Sequence, residues 1–383
     1  MSKAASPLVS TSRLTVDLGA IVRNWKLLGS LAPNAATGAA VKANAYGMGL
    51  EPVTATLDTA GCRHFFVATP GEGIRARKVA ANAEIFVLGG LTRENAPFYQ
   101  EAGLVPVLNS RDDIEIWAER CRQTGNRKPC AIHVDTGMNR LGMSMDEMRD
   151  FANDDSARLS VSPILVMSHF AHADDPSHEM NERQRNAFEE VRAMFPGVMA
   201  SLANSAGILA QPESTYDLTR PGIALYGAEA IDSTVGPMDS VATFEARILQ
   251  IRHARKGETV GYGATHVLAR DSVLAVAGAG YGDGLPRSAS GSGVALRAQF
   301  PGAVGYLCDQ EVPMLGRVSM DSCIFDVTDI PTAKLEKACW IELFGDNIAV
   351  DDLARACGTI GYEILTGMRE RCERSYSHDP SGD

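Results

Sequence analysis

The feature of this sequence that most constrains its fold is a rhythm. Up to about residue 240 eight short apolar segments recur: TGAAVKANA (37–45), HFFVAT (64–69), EIFVLGG (84–90), LVPVLN (104–109), CAIHVDTG (130–137), ILVMSHFA (164–171), MASLANSAG (199–207) and YDLTRPGIALYG (216–227). Helical stretches such as LEPVTATLDTAG, EGIRARKVAAN, SRDDIEIWAERCRQTG and EMNERQRNAFEEVRAMF lie between them. The segments are almost continuously apolar, as parallel strands covered on both faces must be. Eight strand–helix repeats in this length give an α/β fold, an N-terminal (β/α)8 TIM barrel over 10–242. An open doubly wound sheet is the competing arrangement, less favoured because such sheets usually have fewer strands.

Beyond that point the pattern changes. TFEARILQIRHARKGETVGYG, DSVLAVAGAGYGDG, GRVSMDSCIFDVTD and KACWIELFG read as strands punctuated by Gly, Pro and Asp, so 243–383 is expected to be a β-rich C-terminal domain. One helix is expected near VDDLARACG, and the tail SYSHDPSGD reads as disordered. GAGYGDG (278–284) suggests a dinucleotide loop, but Asp283 stands where the third glycine belongs and no helix follows.

Several function classes drop out. The net charge of -11 argues against a nucleic-acid binder. No apolar run is long enough for a membrane span, and MSKAASPLVSTSRLT lacks a signal-peptide core. The 8 cysteines form no C-x-x-C pair, which fits free thiols in a reducing cytoplasm.

Barrel enzymes keep their chemistry at the C-terminal ends of strands. Here those ends carry Lys42 and Tyr46 (first strand), Asp135 and Arg140 (fifth), His169 (sixth), Asn204 and Ser205 (seventh), and Arg220, Gly222 and Ile223 (eighth). Each alone reads as an ordinary bonded loop residue; together they put an amine, two guanidinium groups, an imidazole and a Ser/Gly set at one mouth. A lysine deprived of solvent loses its proton more readily, which imine formation with an aldehyde requires. Amides beside Gly222, with the Ser205 hydroxyl and Tyr46 phenol, suit a phosphate. Lysine imine plus phosphate pocket points to pyridoxal 5'-phosphate, with a sugar-phosphate aldolase as the other possibility.

VKANAYGMG (41–49), VDTGMNRLG (134–142), SHFAHAD (168–174), ANSAG (203–207), LTRPGIALYG (218–227), GYGDGLPR (280–287), GRVSMD (316–321) and GYEILT (361–366), in that order over nearly the whole chain, resemble the alanine racemase family. The resemblance implies a pyridoxal-phosphate enzyme of fold type III that interconverts L- and D-alanine for peptidoglycan, working as a homodimer with shared sites. It makes Lys42 the lysine that carries the cofactor and one of two acid/base groups, and Tyr281 of the second copy the other, with His169 bonded to it. Tyr46, Ser205, Gly222, Ile223 and Tyr362 match phosphate contacts, and Arg220 faces the pyridine nitrogen. Arg140 and, from the second copy, Met320 match contacts to the substrate carboxylate.

Two bases on opposite faces are what racemisation needs, since a single base tends to return the proton to the face it left. Arginine opposite the pyridine nitrogen donates a hydrogen bond without surrendering a proton, which keeps the ring a weak electron sink and favours return of the proton to the α-carbon. One position departs from a common family pattern: His133 stands where many members have a carbamylated lysine that holds the arginine. What positions Arg140 is therefore open, and His133 reads equally as a barrel-interior residue satisfied by one hydrogen bond. His169 and His172, with Asp174, have a spacing that could suit a metal, but a strand would put the two imidazoles on opposite faces, so no metal is expected. Asp283 and Asp321 read as turn caps. The rivals are a racemase of broader range, a decarboxylase of the same fold, which usually pairs the ring nitrogen with a carboxylate, and a single-barrel cofactor carrier, which would lack a second domain.

Overall fold

The computed structural model describes residues 10–231, 234 and 236–377. The chain divides into two compact units, Ile21–Asp239 and Met1–Ala20 with Ser240–Asp383.

The first unit is the barrel. Its strands are Ala36–Thr37 continued by Ala39–Ala40, then His64–Val67, Glu84–Val87, Val105–Leu108, Pro129–His133, Ser162–Met167, Met199–Ser201 and Leu218–Thr219. Neighbours pair in parallel throughout, Phe65 on Ala39, Ile85 on Phe65, Ala131 on Val107 and Met199 on Leu165. Backbone bonds from Asp217 N–H to Ala200 O and Arg220 N–H to Ala203 O join seventh to eighth. Gly38 N–H to Thr219 O and Ala40 N–H to Pro221 O join eighth to first, so the sheet closes rather than lying open. The strands are buried on both faces, with Phe65, Phe66 and Phe86 fully inside, which explains their continuous apolar character.

The helices begin and end where the chain signals it. In Arg111–Thr124, Ser110 Oγ accepts the Asp113 N–H, two aspartates occupy the first turn, and Gly125 closes the helix at φ 64°. The strands, by contrast, are shorter than their apolar segments. The eighth keeps only Leu218–Thr219 before a short 3-10 turn at Ile223–Tyr226, and the sixth stops at Met167. His169 and His172 therefore lie in a loop, where strand alternation does not apply, and His172 stacks on His178 at 4.0 Å.

The second unit is β-rich. Ala242–Ala254 pairs antiparallel with Ser272–Ala277 and Trp340–Phe344, and the ring continues through Cys323–Asp326, Gln310–Leu315 and Val304–Leu307 back to Trp340–Phe344. Ser12–Asp17, which the sequence rhythm places with the barrel, adds to this sheet on the edge of Ala242–Ala254. Glu373–Ser377 pairs parallel with it, so the expected disordered tail is a strand up to Ser377; its remainder lies outside the described residues. Among the described residues three α-helices follow residue 243 where one was expected: Thr332–Leu335, Val350–Cys357 and Gly361–Thr366. Four to eight residues each, two of them are too short for a periodic pattern to show.

Candidate active site

Lys42 opens a turn of unusual geometry. Ala43, Asn44, Ala45 and Tyr46 follow one another at φ 52°, 56°, 52° and 53°, all left-handed and none a glycine. Such a conformation costs roughly 1–2 kcal/mol per L-residue, and runs of it survive only where surroundings over-determine them. Glu72 Oε1 takes the Ala43 N–H at 2.7 Å, and Asn44 Oδ1 takes the Leu50 N–H at 3.0 Å and an Arg75 N–H at 3.2 Å. The turn leaves the Lys42 amine half-buried, and burial, then Arg140, lowers its pKa, with Arg220 adding and Glu72 opposing. That is the direction an amine nucleophile needs.

Tyr46, at the end of the turn, stacks on Tyr226 with centroids 4.7 Å apart, and Tyr226 donates to Ala40 O at 2.9 Å. Opposite stands Gly222. A Cβ there would lie 2.4 Å from Tyr46 Oη, so only glycine leaves this space open. Ser205 Oγ accepts the Gly222 N–H at 2.9 Å and the Ala224 N–H at 3.3 Å, with the Ile223 amide between them in the chain. A phenol, a hydroxyl and consecutive amides around one small gap are a donor set that fits a phosphate.

Arg220, 5% exposed, crosses the barrel under this mouth. It donates to Ser201 Oγ, to Ser168 O at 2.6 Å, to Leu202 O at 3.3 Å and to His169 Nδ1 at 3.2 Å. Burial pushes its pKa down to about 9, which leaves it charged at neutral pH. Because guanidinium only donates, His169 Nδ1 is the acceptor and its proton sits on Nε2. Burial, Arg220, Arg140 and Lys42 hold this imidazole neutral, its pKa well below the ordinary value. His133, 8% exposed, faces the same cations and is held down to about 4, first by burial and then by Arg220. Its Nδ1 lies 2.7 Å from Asn109 Oδ1. The imidazole is thus satisfied by one side-chain hydrogen bond, the plainer of the two roles its sequence position allows. Arg140 is exposed, on a loop whose Gly137 and Met138 amides are capped by Asp135 Oδ1 at 2.8 Å each.

The barrel unit thus brings together Lys42, Tyr46, Arg140, His169, Ser205, Arg220, Gly222 and Ile223 on successive strand ends. Tyr281, Met320 and Tyr362 belong to the second unit. There Tyr281 and Met320 lie side by side: Tyr281 N–H bonds to Ser319 O at 3.1 Å and Gly282 N–H to Met320 O at 2.9 Å. They are 39% and 53% exposed. Gly280 permits the approach, since a Cβ would meet Ser319 O at 2.2 Å, and this explains GAGYGDG better than any nucleotide. Asp283, 1% exposed, is more than a turn cap. It takes the Gly280 N–H at 2.9 Å and two bonds from Arg371, at 2.9 and 3.0 Å, and Arg371 also reaches Asp321 at 2.7 Å. Tyr362 lies in the helix Gly361–Thr366. Among the described residues no cluster of three metal-ligating side chains is present, and no helix is long and apolar enough to cross a membrane.

Sequence reasoning missed several supports. Asn109 directly follows the fourth strand, Val105–Leu108, the same kind of position that marks Lys42 and His169 on theirs. Glu72 closes a T-x-x-E capping box with Thr69, a recognisable pattern whose reach to Ala43 is not. Gln184, fully buried, donates to His169 O at 2.9 Å and accepts the Ala171 N–H at 2.8 Å; an uncharged amide on the inner face of Glu179–Met194 was its only signal.

Comparison with known proteins bears on this geometry. Residues 16–230 match the family model described as alanine racemase, N-terminal domain, and 241–376 match alanine racemase, C-terminal domain. The chain is 49% identical over 365 residues to a biosynthetic alanine racemase of Agrobacterium fabrum, covering 95% of this chain and 93% of the relative. It is 46% identical over 370 residues to an alanine racemase of Rhizobium meliloti, covering 96% and 97%. The crystal structure of alanine racemase from Bartonella henselae with covalently bound pyridoxal phosphate superposes with a TM-score of 0.88 at 35% identity, covering 96% of this chain and 100% of that one.

Proposed function

Because the chain belongs to the alanine racemase family, we propose that it interconverts L- and D-alanine with pyridoxal 5'-phosphate, the two proton transfers being made by Lys42 and by Tyr281 of a second copy. The observation that carries this reading is the Lys42 amine itself: half-buried, depressed in pKa, and set on a strained turn beside the Gly222 gap.

Bound there, the cofactor supplies an aldehyde for the substrate amine and a conjugated ring that takes up charge from the α-carbon. The chain's residues do the rest. Tyr46 Oη, Ser205 Oγ and the amides of Gly222 and Ile223 would hold the phosphate, with Tyr362 assigned to it from its place in GYEILT. Arg220 would face the ring nitrogen as a donor that yields no proton there. Arg140, with Met320 of the second copy, holds the substrate carboxylate. Lys42 Nζ, its basicity lowered, takes or returns the α-proton on one face. Tyr281 Oη serves the other face. The Nε2–H of His169, its tautomer fixed by Arg220, is the donor that would face the Tyr281 oxygen.

Homodimeric assembly with shared sites fits Tyr281 and Met320, side chains left exposed on a loop braced by Asp283 and Arg371. Residence in the cytoplasm fits the eight free cysteines, six of them buried, and D-alanine for peptidoglycan is the corresponding product. Optical rotation of L-alanine, L-serine and L-lysine incubated with the enzyme tests class and range together. Rotation of alanine should vanish and that of the others persist, and Lys42→Ala should abolish both the activity and the yellow colour. An unchanged spectrum in that variant removes Lys42 from its role.

A further inference from the structure

Glu72 is well placed to act on the reaction, yet no step above uses it. It sits in the helix Pro70–Arg77, which follows the second barrel strand, and forms a capping box with Thr69. A cap alone would direct its carboxylate to the Thr69 N–H, but that bond is the longest it makes, 3.4 Å. Its short bonds leave the helix: Oε1 accepts the Ala43 N–H at 2.7 Å and Oε2 the Ala68 N–H at 2.8 Å. Ala43 is the first left-handed residue after Lys42, and Ala68 follows the end of the second strand.

We propose that Glu72 is a positioning residue for the Lys42 amine, its carboxylate bridging the mouth of the first strand to that of the second and fixing the left-handed turn at its opening. Arg75, one helical turn on, grips the same turn a residue later through Asn44 and is itself held by Glu51 through two bonds of 2.6 Å. One short helix thus holds the strained backbone at two adjacent points.

The charge matters as well as the clamp. Of the groups acting on the Lys42 amine, Arg140 and Arg220 push its pKa down, as burial does, and Glu72 pushes it up. His133 and His169 face the same cations but are held neutral. Glu72 therefore keeps the amine basic enough to accept a proton in a site otherwise rich in positive charge.

This inference rests on Lys42 being the reactive amine, and the test separates the two claims. The cofactor-free protein is labelled with acetic anhydride across a pH series, and Lys42 acetylation is followed by peptide mass spectrometry. If wild-type Lys42 titrates no lower than the exposed lysines, the assignment of Lys42 fails whatever Glu72 does. If it titrates lower, Glu72→Gln should move the midpoint down by about one pH unit and reduce kcat about tenfold with KM for alanine changed less than about threefold. Glu72→Asp keeps the charge but is too short to bridge both amides, so its midpoint should stay near wild type while kcat falls. A Glu72→Gln protein with unchanged midpoint and unchanged kcat overturns the proposal. Should that variant not fold, undiminished kcat in Glu72→Asp overturns the clamp by itself.

Discussion

His133 and Asn109 decide each other's hydrogen-bonding roles. Asn109 gives its amide hydrogens to Leu88 O at 3.1 Å and Val107 O at 2.9 Å, so its oxygen is left to accept, and His133 Nδ1 must donate. Protonating Nε2 would then bury a charge and set it beside Arg220 and Arg140; burial first, then those cations, hold the folded pKa down to about 4. The unfolded chain, near ~6.5, binds a proton that the native state refuses between those two values. Stability from this residue is thus full above about pH 6.5 and is lost as pH falls toward 4, on the order of 3 kcal/mol in all. His133→Gln should flatten that part of the curve, and urea unfolding at several pH values reads it; an undiminished slope would place the acid sensitivity elsewhere. At this scale the sequence was legible where a polar residue stands alone at a strand end, as Lys42, His169 and Arg220 do. It was illegible where the partner is another neutral group. Nothing about Asn109, Ser201 or Gln184 in isolation says which side chain each will hold.

Among elements, the turn after the first strand departs furthest from what its residues prefer. Four left-handed residues in succession are available to glycine at little cost, yet none of the four is glycine; the first glycine is Gly47, where φ is 85°. Keeping alanine and asparagine there forgoes stability, and the gain is a turn with one conformation, which places the amine. Ala43 is exposed, so removing its Cβ opens no cavity. Ala43→Gly should therefore relieve about 1–2 kcal/mol of strain against about 0.5–1 kcal/mol of added chain entropy. The melting temperature should hold or rise by roughly 2 °C. Turnover should fall as the amine loses its fixed place. A melting temperature that drops several degrees would show that the left-handed run is not strained in this setting. The sequence marked this turn by its lysine and glycines but not by its handedness, because alanine and asparagine are common in right-handed helices and loops. The same limit explains why strands came out shorter than their apolar segments: the chain turns aside at Lys42, Ser168 and Arg220 to present side chains, and hydropathy does not record where.

The whole molecule was the most readable level. Eight apolar segments with helices between them can close into a barrel with few alternatives, and the change to Gly-punctuated strands marks the second unit without reference to any site. On the proposed mechanism, the second proton-transfer group comes from a second copy of the chain, which the rhythm of one sequence does not reveal. The proposed mechanism takes Lys42 from one copy and Tyr281 from another, and a symmetric dimer makes that arithmetic testable. Lys42→Ala and Tyr281→Phe proteins are each nearly inactive on that view, since every site in either homodimer lacks one group. Mixed in equal amounts and allowed to exchange subunits, half the dimers become hybrids. Each hybrid has one site missing both groups and one site with both intact, so activity should return to about a quarter of the wild-type value. If instead each copy used its own Tyr281, every site would remain defective after mixing and nothing would return. Sedimentation of the same mixture separates that outcome from a failure to exchange, and wild-type protein that sediments as a monomer would refute the shared site outright.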